Sequence, residues 1–286
     1  MTLRGVFTEG APLKTGHPVK RSKKICIIIP TYNERGNLER LVPMIQDVLH
    51  FRGLADLATL LVVDDNSPDS TGQLAEELTE AYDNVQVLHR PAKRGIGSAY
   101  RQGFAYALQQ LGSDIVFEMD ADLSHDPKHL PDFLSKVEEG YDAVVGSRRV
   151  PGGGVADWSF NRNLMSTVAN QLARRLCGVR VRDSTSGYRV FTRRALQRIG
   201  YSSLESEGYA FQVEMLFRCQ REGLKVAEVP IVFVERRMGE TKLSRAEMLR
   251  FIFTCLKLFF RRGASQKKCT SNLRTDETAK QTISGA

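Results

Sequence analysis

Apolar runs and polar turns alternate along the first half of the chain with the spacing of strands and helices. Ile25–Ile29 is a continuous β-branched run, as expected of a strand buried on both faces. Leu38–Leu49 carries helical spacing, Thr59–Val63 reads as a second strand and Gly72–Tyr82 as a second helix. The alternation continues through Val85–Leu88, Ser98–Leu111, Ile115–Met119, Pro131–Glu139 and Ala143–Val145. Strands alternating with helices in this way predict an α/β fold, a mostly parallel sheet with helices on both faces.

Beyond residue 150 the rhythm changes. Gly152-Gly153-Gly154 predicts a flexible loop. Leu164–Leu176 predicts a helix and Gly187–Phe191 a short strand. Helices are predicted near Arg194–Ile199 and over Phe211–Arg221. Val226–Val234 reads as one further strand and Arg245–Arg262 as a final amphipathic helix. The expected organisation is a flexible basic leader (1–22), one main domain (23–244), an amphipathic helix (245–263) and a disordered polar tail (264–286).

Charge adds a second layer. The net charge is +8, yet residues 1–24 hold six Lys/Arg against one acid, and residues 257–286 hold seven against two. The body between them is close to neutral, so no basic stripe crosses the fold, and nucleic acid is not an expected partner. Basic ends suit an anionic membrane surface; two solvated tails are the competing reading. The five cysteines are scattered without CxxC spacing, which predicts reduced thiols. His125 and His129 stand four apart but lack the HExxH pattern of a zinc helix. No signal-peptide core is visible at the N-terminus. Phe251–Phe260, with Lys257 inside it, is too short to span a bilayer.

The chemistry gathers where the strands end. Asp120-Ala121-Asp122 follows an apolar strand, a placement suited to clamping a hard divalent cation shared with substrate phosphates. Asp64-Asp65 closes the second strand, where an acid can bond a ribose hydroxyl or a base N–H; a turn built on Asn66-Ser67-Pro68-Asp69 is the other reading, and both can hold. Arg94-Gly95-Ile96-Gly97-Ser98 lacks the Gly-Lys-Ser/Thr of a phosphate loop and reads as a tight helix start. Arg148, Arg162, Arg236 and Lys242 are candidate phosphate contacts. Arg162 and Ser166 share one face of a helix.

Seven segments together resemble the dolichol-phosphate mannosyltransferases, an inverting branch of glycosyltransferase family 2 with the GT-A fold. They are IIPTYNERGNL at 28–38, VVDDNSPDSTG at 62–72, EMDADLSHDP at 118–127, VGSRRVPGGGV at 145–155, TSGYRVF at 185–191, GYAFQVEM at 208–215 and FVERRMGETKL at 233–243. The resemblance covers roughly residues 24–262 and implies a Rossmann-like catalytic domain. It implies GDP-mannose as donor, dolichyl phosphate as acceptor and Mg²⁺ or Mn²⁺ as cofactor. It places Pro30, Tyr32, Glu34, Val63, Asp65, Asp120, Ala121, Asp122, Arg148, Arg236 and Lys242 around the donor. Arg148, Arg162 and Ser166 fall on the lipid phosphate, and Asp120, Asp122 and Ser124 on the metal, with Asp122 and Arg148 closest to the chemistry. Ser124 departs from relatives that carry Gln there, so water would complete the metal shell.

The acceptor phosphate is already an oxyanion, so no general base is required. The implied product is dolichyl β-D-mannosyl phosphate, a lipid-linked donor for glycosylation and GPI-anchor synthesis. The implied location is the cytoplasmic face of the endoplasmic reticulum membrane, with small transmembrane partner subunits, as in the short class of relatives. Phe251–Phe260 then becomes an interfacial helix with aromatics inward; a helix packed on its own domain is the alternative. Glucosyl transfer to the same lipid and a non-catalytic nucleotide-sugar-binding subunit are the rival functions.

Overall fold

The computed structural model describes residues 23–156, 158–234 and 247–261. The leader (1–22), the tail from 262 onward, Arg236 and Lys242 lie outside the described residues. Strands β1 (Ile25–Thr31), β2 (Ala58–Asp64), β3 (Val85–His89), β4 (Ile115–Glu118) and β5 (Ala143–Ser147) alternate with helices α1 (Arg35–Phe51), α2 (Thr71–Ala81), α3 (Ile96–Gln109) and α4 (Leu130–Glu138). Each expected element of this half forms, with ends shifted by a few residues.

A short β6 (Gly154–Ala156) follows, then α5 (Phe160–Leu172), which runs on as one wider turn through Ala173–Cys177. The chain continues through β7 (Arg189–Thr192), α6 (Arg193–Ile199), α7 (Gly208–Arg221), β8 (Val226–Pro230) and β9 (Val232–Val234). Residues 247–261 form helix α8.

Seven strands make one sheet in the order β3-β2-β1-β4-β7-β5-β8. All pairings are parallel except those of β7, which runs antiparallel to both β4 and β5. Alternation along the strands sends side chains to two apolar layers. Ile27, Ile29, Leu60, Val62 and Phe117 meet α1, α2 and α4 on one face. Cys26, Ile28, Leu61, Val63 and Val116 meet α3, α6 and α7 on the other. A third cluster joins the end of α5, α7 and α8 through Cys177, Val213, Phe217, Phe251, Cys255 and Leu258.

Two expectations need correction. The glycine run does not remain a loop throughout, because Gly154 opens β6, which pairs with β9. Val226–Val234 is two strands, since the chain leaves the main sheet at Ile231 and joins β6. The final helix packs on its own domain through one face. Phe251, Cys255 and Leu258 pack on the domain, while Leu249, Phe253 and Phe260 on its other side are exposed. Phe251 alone of its phenylalanines is buried, so the aromatics do not all face inward. Among the described residues, no helix is long and apolar enough to cross a membrane, and Cys26, Cys177, Cys219 and Cys255 are buried thiols.

Candidate active site

The carboxyl ends of β1, β2, β4 and β5 meet at one edge of the sheet, where ligands bind in open α/β folds. At the first two ends a hydrogen-bonded frame replaces regular structure. Asp64 accepts from Thr31 Oγ1 at 3.1 Å, from Ser67 Oγ at 2.6 Å and from the Ser67 N–H at 3.1 Å. Ser67 Oγ in turn accepts from the Asn33 N–H at 3.1 Å. Asn33 and Asn66 are both left-handed, a conformation asparagine tolerates better than most residues.

Asp64 is therefore the turn-forming acid, which bears out the turn reading of the pair. Asp65 is clamped by buried Arg90, whose Nη2 also donates to Ser98 Oγ at 2.6 Å. Burial pushes the Asp65 carboxyl up, and the Arg90 charge only partly offsets this. Tyr32 lies under Lys93, whose Nζ is 3.8 Å from the ring centroid. The Glu34 N–H donates to Thr71 Oγ1 at 3.0 Å, and Glu34 Oε2 accepts from Asn37. Pro30 and Val63 are paired neighbours on β1 and β2.

The Asp120-Ala121-Asp122 segment lies beyond β4 in a bent loop, so strand alternation does not govern where its side chains point. Leu123, directly after it, has φ +63°, uncommon for a leucine and consistent with a loop held for function. Asp122 is buried and accepts from both the N–H and the hydroxyl of Ser124. Ser124 thus braces Asp122 through its hydroxyl proton, and the lone pairs of that hydroxyl remain available to a cation.

Asp120 accepts from Tyr100 Oη at 3.4 Å. Its N–H donates to His125 Nδ1 at 3.0 Å, which leaves the imidazole proton on Nε2, 3.8 Å from Asp120 Oδ2. His125 stacks on Tyr188 at 4.9 Å and braces the Asp120 backbone. Among the described residues no group of three or more His, Cys, Asp or Glu could hold a metal. Two carboxylates are the available donors. Hard oxygen ligands with positions left for water and diphosphate suit Mg²⁺ or Mn²⁺ and not a soft ion.

Beyond β5 lies a basic cleft lined by Arg148, Trp158, Arg162, Ser166, Thr185 and Tyr209, among others. Arg148 is buried and forked onto Asp183, with Nε–Oδ2 2.6 Å and Nη2–Oδ1 2.7 Å; its backbone N–H also donates to Asp183 at 2.9 Å. Burial alone would raise the Asp183 carboxyl, but Arg148 outweighs it and holds the group below the usual range. Arg148 Nη2 also reaches Thr185 Oγ1 at 3.1 Å.

Arg162 lies over the Trp158 ring at 4.5 Å and the Phe233 ring at 5.9 Å, a cation–π seat that keeps the guanidinium in the cleft. Ser166 Oγ and Trp158 Nε1 are buried and make no hydrogen bond among the described residues, and both can donate to an oxygen ligand. The 183–187 loop joins this cleft to the paired aspartates. It holds Arg148 through Asp183 and Thr185, and at Gly187 it packs so closely that a Cβ would lie 3.2 Å from Asp120 Oδ2.

Sequence reasoning missed Asp183, Trp158, Tyr209 and Glu247, which also lines the cleft. The lone tryptophan beside the glycine run was the one available signal. Asp183 reaches Arg148 across a gap of 35 residues that no local pattern reveals. Glu118, also missed, is fully buried next to Arg189 in the β4–β7 ladder, and burial raises its carboxyl to about 7.

The strand-end frame, the paired aspartates and the basic cleft thus lie along one edge of a mostly parallel sheet. The chain belongs to glycosyl transferase family 2, whose description it matches over residues 26–200. It is 43% identical over 236 residues to a polyprenol monophosphomannose synthase of Mycolicibacterium smegmatis, covering 82% of this chain and 86% of that one. It is 42% identical over 221 residues to an undecaprenyl-phosphate mannosyltransferase of Micrococcus luteus, covering 77% and 88%. Its fold is similar to glucosyl-3-phosphoglycerate synthase of Mycobacterium tuberculosis solved with Mn²⁺, UDP and phosphoglyceric acid. That match has TM-score 0.61 and 21% identity and covers 82% of this chain and 80% of the other.

Proposed function

We propose that the protein transfers mannose from GDP-mannose to a polyprenyl phosphate, dolichyl phosphate in the reading drawn from its motifs, with inversion at the anomeric carbon. The observation that carries this is the basic cleft. Arg162, Ser166 Oγ and Trp158 Nε1 converge there beside the paired aspartates, between two exposed apolar helix faces. On α5 those faces comprise Phe160, Leu164 and Val168, and on α8 Leu249, Phe253 and Phe260. A lipid phosphate has the matching chemistry, an anionic head on an apolar chain. The names of the two relatives, a polyprenol monophosphomannose synthase and an undecaprenyl-phosphate mannosyltransferase, support the same acceptor class and mannose as the sugar.

Tyr32, Glu34 and Asp65 face the nucleotide in this reading. Asp65 is held by Arg90, and Arg236 and Lys242 add phosphate contacts. Asp120 and Asp122 hold Mg²⁺ or Mn²⁺, which when bound offsets charge on the departing diphosphate. Arg148 has Nε and Nη2 committed to Asp183 and Thr185, so its phosphate contact falls to Nη1. Arg162 and Ser166 orient the acceptor phosphate. One of its oxygens forms the new bond to the anomeric carbon as the bond to the diphosphate breaks, and the electron pair leaves with GDP. No proton has to be removed, and orientation supplies much of the rate.

The two apolar helix faces lie on a membrane surface in this reading, or against small transmembrane subunits seated there. With dolichyl phosphate as acceptor, the place of action is the cytoplasmic face of the endoplasmic reticulum.

The test is a radiolabel transfer assay on the purified chain in detergent with Mg²⁺ or Mn²⁺. GDP-mannose and UDP-glucose are compared as donors, and dolichyl and undecaprenyl phosphate as acceptors. Chelator-sensitive mannose transfer into the organic phase supports the proposal. Transfer of glucose alone, or donor binding without product, would replace it with one of the rivals.

A further inference from the structure

Among the described residues that line the basic cleft, one is an acid. Glu247, the first described residue of α8, lines it together with Arg148, Arg162 and Tyr209. Its carboxylate reaches across to the start of α7, where a Cβ on residue 208 would lie only 2.5 Å from Oε1. Residue 208 is a glycine with φ +58°, so the backbone there makes room for the carboxylate and adopts a turn that few other residues accept. These charges and that of Asp120 act on one group, the hydroxyl of half-buried Tyr209. Burial is the main influence raising it, Glu247 and Asp120 add to the rise, and Arg148 and Arg162 oppose it.

A phosphate monoester carries about −1.5 to −2 charges at neutral pH. It cannot settle against Arg162 and Ser166 beside a carboxylate without strong repulsion. We propose that Glu247 is a gating anion: it stands in the arginine-lined cleft of the ligand-free protein, and the acceptor phosphate must displace it to bind. This rests on the cleft being the acceptor site, as argued above, and extends it in two ways. Access becomes selective for charge, because a neutral prenyl alcohol gains too little from the arginines to push the carboxylate aside. Binding also becomes linked to α8, which carries Glu247 on a helix whose other face is apolar and exposed.

Trp158 is the only tryptophan in the chain and sits 4.5 Å beneath Arg162, so its fluorescence reads occupancy of the cleft. The full-length protein in detergent is titrated with geranyl monophosphate and, separately, with geraniol. Glu247→Gln, which removes the charge and keeps the shape, is expected to bind geranyl monophosphate about fivefold tighter or more. Glu247→Asp, which keeps the charge, should stay within about twofold of wild type by the same reasoning.

Geraniol should leave the wild-type signal unchanged; a response matching that of the phosphate would overturn the gate without any variant. Unchanged or weaker binding by a folded Glu247→Gln protein would also overturn it while leaving the acceptor reading intact. No wild-type response to geranyl monophosphate would remove the acceptor reading, and the gate with it.

Discussion

Removing the carboxylate of Asp183 should damage stability and catalysis by separable amounts. Three charge-assisted hydrogen bonds from Arg148, at 2.6, 2.7 and 2.9 Å, end on this one side chain. The Asp183 side chain is 0% exposed and that of Arg148 5%, so water cannot replace the lost partner. Breaking one side of such a buried pair costs about 3–5 kcal/mol. For a domain of this size, with an unfolding entropy of about 0.5 kcal/mol/K, Asp183→Ala should lower Tm by about 8 °C.

Arg148 would also lose the anchor that aims Nη1 into the cleft. A misplacement of about 1 Å at a positioning group costs on the order of 100-fold in rate. Melting curves give the first effect, and mannosyl transfer well below the lowered Tm gives the second. Asp183→Glu, which keeps the charge, should recover part of the activity while still melting early. A lowered Tm with kcat/KM within threefold of wild type would refute the positioning role. An unchanged Tm would refute the reckoning from burial.

Asp122→Ala should reduce transfer by orders of magnitude and abolish its response to added Mn²⁺; near-normal, chelator-sensitive turnover would contradict the metal assignment. Arg162→Ala should raise the acceptor KM about tenfold or more, the worth of a lost charged hydrogen bond, and leave the donor KM near wild type. Equal weakening of both would contradict its place on the lipid phosphate. Glu118 should make stability depend on pH. Burial raises its carboxyl to about 7 against opposition from Arg189 and Gln212, so the folded protein holds this proton more tightly than the unfolded chain. Its stabilising contribution is full below about pH 4.5 and fades as pH rises through about 7. Glu118→Gln should therefore gain up to about 3 kcal/mol relative to wild type between pH 5 and pH 8, measured by denaturant unfolding in EDTA. An identical difference at both pH values would show that Glu118 does not carry the buried proton.

The doubly covered strands were legible because burial on both faces leaves an unbroken apolar run, as in Ile25–Ile29. The site edge was legible too, since Asp65, Asp120 and Asp122 each follow such a run. Strand direction was not, because hydrophobic periodicity is the same whichever way a chain runs, and nothing in Arg189–Thr192 marks β7 as reversed. The change of sheet at Ile231 was hidden for a related reason: Val229–Val234 stays apolar across it, and Pro230 alone marks the break. Asp183 and Glu247 escaped because a buried acid is told from a solvated one only by what folds against it, and their surroundings come from distant segments.

The reversal of β7 has a consequence for how the chain comes together during synthesis. β4 and β5 follow one another in sequence but cannot pair, because β7 lies between them. β1, β2, β3 and β4 can form their ladders once about the first 120 residues have emerged, whereas β5 and β8 have no place in the sheet until residue 192 is out. The strand-end frame of β1 and β2 and the paired aspartates therefore belong to an early-forming core, and the basic cleft beyond β5 is completed by a late insertion between distant partners, a step slowed by loop closure. Defects that delay that insertion should yield chains that accumulate with the strand-end frame in place and the basic cleft unbuilt.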